Sequence, residues 1–401
     1  MDESKRPSPA SALGVYVSVP FCRAKCSFCN FASGVSSPGT IEAYVTKLCH
    51  EIAAVPITAA HLQADLPLTV DTLYLGGGTP SLLEPAQLRR IFTALRQTFQ
   101  ITPGAEITLE AAPGQIADVL LTEAQDQGVN RISLGVQSFV DRESAAVGRS
   151  HTERDCTREI FRLQAAGVAD VGADLIAGLP YQTSASWQHS LDVATSIGLT
   201  HLSVYMLEID EDSRLGREVM AGGQRFHAHG VPADEASAEF YEMACAWLPQ
   251  HAFPQYEISN FAPPSHRSRH NRKYWQRDPY IGFGLDAHSM LLRPHGAVRF
   301  ANPEELAYYG AEAIPSAPID IFQRETFEET IFLGLRMNEG LSVSRLREQS
   351  PRELFASTEE AARELIREGL MIEQEDRWQL TLRGRLLSND VFTNLLMGVA
   401  V

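Results

Sequence analysis

Three cysteines within eight residues, Cys22, Cys26 and Cys29, stand in the spacing C-x3-C-x2-C directly after a β-rich run. Three thiolates hold three corners of a cubane iron–sulfur cluster. Most such clusters take four cysteines, so a triplet leaves one iron open to an external ligand, as a catalytic zinc site keeps one position open. Two plainer readings compete. The same spacing is one face of a helix, although Pro20 and Ser27 do not suit a core helix, and a structural zinc site wants a fourth ligand nearby, where none is obvious. Cys49, Cys156 and Cys245 are scattered, and six cysteines in 401 residues are too few for a disulfide framework.

S-adenosylmethionine (SAM) suits the open corner. Its amino and carboxylate groups can chelate the iron and bring the sulfonium near the cluster, where one electron cleaves it to a 5′-deoxyadenosyl radical. Further along, Gly76, Gly77 and Gly78 precede Thr79 and Pro80, and glycines let a backbone approach a ligand closely. Glu110 ends a strand and is placed to meet an ammonium. Asp174 puts a carboxylate into the apolar run ADLIAG, where it needs a partner. The run from His270 to Trp275, HNRKYW, gathers an imidazole, an amide, two cations and two aromatics, partners for a flat carboxylate-bearing ring such as a porphyrin.

The elements that must position these residues alternate. β-rich runs at 14–19, 70–77, 105–110, 131–136, 168–176 and 200–207 are separated by helical stretches at about 40–55, 85–99, 115–127, 152–166 and 184–196. That alternation predicts repeated βα units on a parallel sheet, with each strand almost continuously apolar because both faces are covered. A partial or complete barrel fits, and so does a doubly wound sheet; in either the site lies at the carboxyl ends of the strands. Residues 215–234 read as a polar, glycine-bearing linker, 234–248 as a helix and 255–262 as a strand, while 264–300 shows little regular period. From about 325 the period is helical, with a short β-wing at 371–381 and the order of a small winged-helix module.

A net charge of −16 disfavours a nucleic-acid partner. No run of eighteen apolar residues predicts a membrane span. The first fourteen residues lack the apolar core of a secretory signal and read as a disordered arm. The expected compartment is the reducing cytoplasm.

The cysteine motif resembles that of the radical SAM superfamily, and the resemblance spreads over the chain. YVSVPFCRAKCSFCNF, YLGGGTPS, ISLGVQSF, DLIAGLPYQT, SVYMLE, HNRKYW and YIGFGLDAHS are similar to segments of the HemN/HemW family, with EETIFLGLRMNEGL and LTLRGRLLSNDVF extending the match towards the end. That family comprises oxygen-independent coproporphyrinogen III oxidases and related heme chaperones. The resemblance implies an α/β fold, a partial six-unit (β/α) TIM-like barrel over residues 1–230. A C-terminal α+β region over 231–401 is implied to carry the winged-helix-like module at about 320–398. It implies a 4Fe–4S cluster on Cys22, Cys26 and Cys29, and SAM contacts at Tyr16, Phe28, Gly77, Gly78, Thr79, Glu110, Gln137, Arg149 and Asp174. It also implies heme contacts at His270, Asn271, Tyr274 and Trp275, with His288 as a second candidate imidazole. Asp286 departs from the family, which usually has glycine there.

Two readings of function follow. The oxidases carry a fourth cysteine two residues after the third, where this chain has Phe31, and a long arm before the first strand, where it has about fourteen residues. Both departures point to a heme chaperone that passes heme to acceptor proteins, respiratory ones among them, without coproporphyrinogen oxidase activity. The alternative is an oxidative decarboxylase of coproporphyrinogen III. The resemblance also admits a homodimer and peripheral membrane association through partners.

Overall fold

The computed structural model describes residues 12–310 and 318–397. The arm expected at the N-terminus lies outside them except for its end. Six strands, β1 (Leu13–Val19), β2 (Thr69–Gly77), β3 (Gln100–Ala111), β4 (Arg131–Gln137), β5 (Asp170–Ala177) and β6 (His201–Met206), are linked by α1 (Pro38–His61), α2 (Pro85–Thr98), α3 (Asp118–Asp126), α4 (Asp141–Ala146), α5 (Glu153–Ala165) and α6 (Ser184–Ser196). Chain neighbours are sheet neighbours, and all five pairings are parallel. Right-handed crossovers stepping always in one direction put their helices on one face. This winding gives a partial barrel and removes the doubly wound alternative, whose order reverses between its halves.

The sheet does not end with the sixth unit at residue 230. After α7 (Arg214–Met220) and α8 (Asp234–Gln250), β7 (Asn260–Phe261) pairs antiparallel with β6. Beyond α9 (Arg269–Gln276), β8 (Tyr280–Phe283) adds to the free side of β1 in parallel. The strands β9 (His288–Arg293), β10 (Gly296–Ala301) and β11 (Ile319–Ile321) then continue outward, giving eleven strands in an open array. Two expectations are corrected here. The stretch 215–234 is not a plain linker, because α7 forms across its start, and 264–300 holds a 3-10 turn, one α-helix and three strands. α9 is short and mostly polar, so its period carries little apolar signal.

The strands are not continuously apolar either. Leu73, Leu75, Leu109, Ile132, Leu134, Ala173, Leu175 and Leu202 are fully buried against the helix layer. The residues between them are polar: Thr72, Tyr74, Glu106, Thr108, Glu110, Arg131, Ser133, Asp174, His201 and Ser203. Period-two alternation sends these to the inner face. Register sets Glu110 opposite Ser133, Gly135 opposite Asp174, and Asp174 opposite Ser203.

α9 crosses the inner face near the N-terminal ends of the strands. Glu106 accepts hydrogen bonds from the Arg269 and His270 amides, both 2.9 Å, and so places a carboxylate at the positive end of the helix. Lys273 pairs with Asp71 at 2.9 Å and donates to the Ala12 carbonyl at 2.7 Å. His266 pairs with Asp170, and Arg131 donates to the His266 carbonyl at 2.9 Å.

A separate core runs from Phe327 to Leu395. It is built by α10 (Gln323–Arg336), β12 (Leu341–Ser342), α11 (Val343–Gln349), α12 (Arg352–Arg367), the hairpin of β13 (Met371–Gln374) and β14 (Arg377–Leu380), α13 (Leu382–Leu386) and α14 (Ser388–Met397). Helix, strand, two helices and a hairpin, with sheet order β12-β14-β13, make a winged-helix-like arrangement. Glu329 fastens it to the sheet, pairing with Arg277 at 2.9 Å and Arg299 at 2.7 Å.

Candidate functional site

The chain leaves β1 at Val19 and enters a loop that contains no helix between Cys22 and Ser33, so the three cysteines are not one face of a core helix. The loop is tied down on several sides. The Cys22 amide donates to the Gly34 carbonyl at 2.9 Å, Ser27 N to Val147 O at 3.1 Å, and Leu215 N to Ser27 O at 2.8 Å. Thr79 Oγ1 lies 3.6 Å from Cys22 Sγ, and Ser33 Oγ 4.0 Å from Cys29 Sγ. Cys26 is buried and the other two half-buried. Burial pushes the Cys26 thiol up, the Arg149 guanidinium pulls it down, and the neighbouring Cys29 and Cys22 raise it. Among the described residues no three His, Cys, Asp or Glu side chains converge on a single ion.

The glycine run lies against this loop. Gly78 N donates to Val19 O at 3.0 Å and Thr79 N to Phe21 O at 2.8 Å. A Cβ at Gly78 would stand 2.7 Å from both Phe21 N and Val19 O, so a side chain displaces the cysteine loop. The close approach that glycine permits here is backbone to backbone. Gly78→Ala is expected to cost about 1–3 kcal/mol through overpacking and to lower cluster occupancy, read from iron content and urea unfolding. Gly77 has φ +94°, and its Cβ would meet Ser18 Oγ at 2.9 Å and the Tyr16 hydroxyl at 3.1 Å.

Glu110 lies beside these residues. Tyr74 donates to its Oε1 at 2.7 Å, and burial pushes its carboxyl up to about 7. A buried carboxylate without a cation partner suits an ammonium group. In the ligand-free protein the folded state therefore keeps a proton on Glu110 up to about pH 7, while the unfolded chain loses it near 4.5. The folded state binds more protons across that window, so stability falls as pH rises through it. Glu110→Gln is expected to remove the fall. The variant's advantage in urea unfolding grows from about pH 5 to about pH 8 by on the order of 2 kcal/mol.

Across the barrel, Gln137 is buried at φ +70°. A Cβ on Gly135 would stand 3.0 Å from both Gln137 Nε2 and Arg149 Nη2, which places these two side chains over that glycine. Arg149 Nε is buried with no hydrogen-bond partner among the described residues, as is Ser27 Oγ. The same guanidinium lowers both the Cys26 thiol and the Asp174 carboxyl, so it acts between the cysteine loop and β5. Burial pushes the Asp174 carboxyl up, against hydrogen bonds from Ser203 and from Ser133 at 3.2 and 3.3 Å. Phe28, on the loop itself, joins a small core with Leu207 and Phe226.

The donor set fits a cluster with SAM on its open iron. The Arg149 guanidinium, whose Nε is buried without a partner among the described residues, lies in range of the Cys26 thiol, Glu110 has no cation partner among them, and Asp174 can accept from hydroxyls. Cys22, Cys26, Cys29, Tyr16, Phe28, Gly77, Gly78, Thr79, Glu110, Gln137, Arg149 and Asp174 all gather at this end of the barrel. Sequence reading missed Tyr74, Ser133 and Ser203, which hold the two buried carboxyls. The signal was the polar residue at every second strand position.

HNRKYW borders these residues from the inner face of the barrel. His270 is 1% exposed, stacks on Tyr74 with centroids 5.3 Å apart, and uses both ring nitrogens, Nδ1 with Thr72 Oγ1 at 3.0 Å and Nε2 with the Tyr274 hydroxyl at 2.8 Å. In the ligand-free protein both His270 ring nitrogens are therefore engaged, and the ring lies inside the barrel. Asn271 lines a cavity of about 50 Å³ with Tyr74, Glu110, Ser133 and Asp174. Trp275 packs under Arg336, whose guanidinium lies 4.3 Å from the ring centroid. Tyr274 is different. With Tyr16, Tyr280, Asp286 and His288 it lines a more open cavity of about 170 Å³, and the His288 side chain there is 60% exposed.

Comparison with known proteins agrees with this arrangement. Residues 16–194 match the radical SAM superfamily, and residues 323–387 match the HemN C-terminal domain. The chain is 32% identical over 383 residues to the heme chaperone HemW of Bacillus subtilis, covering 94% of this chain and 97% of that one. It is 34% identical to the Synechocystis heme chaperone HemW, covering 82% of this chain and 79% of that one. Among solved structures, the coproporphyrinogen III oxidase HemN of Escherichia coli, a radical SAM enzyme, superposes with a TM-score of 0.80 at 26% identity, covering 97% and 91% of the two chains. With its cysteine loop, its partial barrel and near full-length identity to these relatives, the chain belongs to the HemW family of the radical SAM superfamily.

Proposed function

We propose that this protein binds heme and delivers it to acceptor proteins, while carrying a 4Fe–4S cluster on Cys22, Cys26 and Cys29 and SAM on the residues gathered around Arg149 and Glu110. The near full-length likeness to heme chaperones carries this reading. A cluster with SAM supplies one-electron reductive chemistry; the protein's part is to exclude water, orient the ligand through Glu110 and Asp174, and neutralise charge through Arg149. Heme, as cargo, docks over the cavity of Tyr16, Tyr274 and Tyr280, with His288 as the imidazole that reaches its iron. The side chain supports this, because it is exposed where that of His270 is not. No helix among the described residues is long and apolar enough to cross a membrane. We place the protein in the cytoplasm, with respiratory acceptors reached through peripheral contact.

The likeness of fold to HemN favours a second reading, oxidative decarboxylation of coproporphyrinogen III. Against it stands Phe31, 61% exposed at the position where the oxidases have a further cysteine. The test is an anaerobic hemin titration of the reconstituted protein, with product analysis on coproporphyrinogen III, SAM and a reductant. Stoichiometric binding that weakens at least tenfold in His288→Ala, with no decarboxylated product, is expected. Product formation without saturable hemin binding overturns the chaperone reading.

A further inference from the structure

Three side chains outside the cluster and SAM surfaces meet on the rim beyond β5. The Tyr181 hydroxyl lies 2.8 Å from His227 Nδ1 and 3.3 Å from His229 Nε2. In a tetrahedral site with metal–ligand bonds of about 2.0–2.1 Å, neighbouring donor atoms stand roughly 3.3 Å apart. The two Tyr181 separations are near that value, while the His227 and His229 ring centroids stand 6.5 Å apart, so an ion enters as the two imidazoles close on it and the Tyr181–His227 pair opens. Both histidines are exposed and Tyr181 is half-buried.

The backbone holds this arrangement against its own preference. Tyr181, Phe226 and His227 have φ of +70°, +55° and +59°, in the left-handed region that L-residues with side chains avoid. Such conformations cost on the order of 1 kcal/mol each and persist only where the surroundings impose them. Here the Tyr181 amide donates to the Gly230 carbonyl at 2.6 Å. A Cβ at Gly230 would stand 2.7 Å from the Tyr181 ring, so the two loops pack face to face. Ala228 is buried between the two histidines against Val147, Ile176, Leu179 and Leu215. Arg142 covers the Tyr181 ring at 4.0 Å from its centroid and fixes it from the other side. A hydrogen-bonded surface cluster needs none of this strain; a preformed ligand set does.

We propose that Tyr181, His227 and His229 form a site for a divalent transition-metal ion of the zinc, cobalt or nickel class, with the remaining coordination position open. Two imidazoles suit that class. On binding, the phenol oxygen bonds to the metal and its proton passes to solvent. Phe226 and Ala228, the chain neighbours of His227, share their small core with Phe28 of the cysteine loop.

The test is zinc(II) binding by calorimetry to the cluster-loaded protein, whose three loop cysteines are then occupied, in a Cys49→Ser, Cys245→Ser background. One equivalent is expected to bind. The His227→Ala, His229→Ala double variant should lose at least 100-fold in affinity, and Tyr181→Phe about tenfold. His251→Ala, which removes a surface imidazole stacked on Trp247, should leave it unchanged. Iron content and circular dichroism report folding. Should the double variant not fold, His229→Gln alone, at an exposed ring, gives the same reading. Zinc bound by the histidine variants with parental stoichiometry and affinity overturns the proposal.

Discussion

Alanine at Cys22, Cys26 or Cys29 is expected to abolish the iron–sulfur absorbance and most of the bound iron, whereas alanine at Cys49, Cys156 or Cys245 leaves both intact. The two sets differ in spacing and in backbone setting, while burial raises the Cys26 thiol as it raises those of the second set. The first sits on a loop pinned at Gly34, Val147 and Leu215, with the Arg149 guanidinium in range to offset negative charge. Thiolate, the metal-binding form, needs such offsetting charge. The second set is held protonated. Burial pushes the Cys156 thiol up to about 12 and the Cys245 thiol up to about 11, and it raises Cys49 also. Absorbance and iron analysis after anaerobic reconstitution decide the matter. A full cluster in any variant of the first set removes the assignment.

His270→Ala is expected to cost stability heavily, about 3–4 kcal/mol, from an unfilled cavity and two stranded hydroxyls. The ring fills the inner face between Thr72 and Tyr274 and stacks on Tyr74. Burial pushes its imidazole down to about 3, so it stays neutral and serves as donor on one nitrogen and acceptor on the other. In the unfolded chain it takes a proton near 6.5. The unfolded state therefore binds more protons between about pH 3 and 6.5, and this contribution to stability, complete above that window, is lost as pH falls through it. Its sign is opposite to that of Glu110. At pH 5 the term amounts to roughly 2 kcal/mol, and His270→Gln should remove it. Urea midpoints of both proteins at pH 5 and about 7.5 check this. Equal losses for parent and His270→Gln on acidification contradict the buried, neutral imidazole. Hemin affinity of the folded fraction should follow His288 and not His270.

Local signals carried the cysteine loop, the glycine run and the order of βα units. Each depends on neighbours within a few residues: thiol spacing, strand-ending glycines, and a switch from β-rich to helical period. The sequence of strands also determined a parallel sheet with its site at the carboxyl ends, because crossover handedness is uniform. What no local pattern contained was which residues meet across the barrel. Arg149 serves both Cys26 and Asp174 only because the turn after α4 passes over β4 and β5. The strands read as almost continuously apolar, and only the curved sheet shows that the polar residue at every second position faces a common interior.

HNRKYW shows the same division most plainly. Its composition resembled a ligand surface, yet Glu106 at its N-terminus and Lys273 on Asp71 draw the helix inside the barrel. Six polar and aromatic residues look alike in a sequence whether they face a porphyrin or plug a polar interior. The two are separated by partners on β2 and β3 some 160 to 200 positions earlier in the chain. His227 and His229, in a stretch read as linker, acquire Tyr181 from a loop 46 and 48 residues away. Side-chain chemistry is written along the chain, but the convergence of donors on one point is a property of long-range packing, which only the tertiary structure decided.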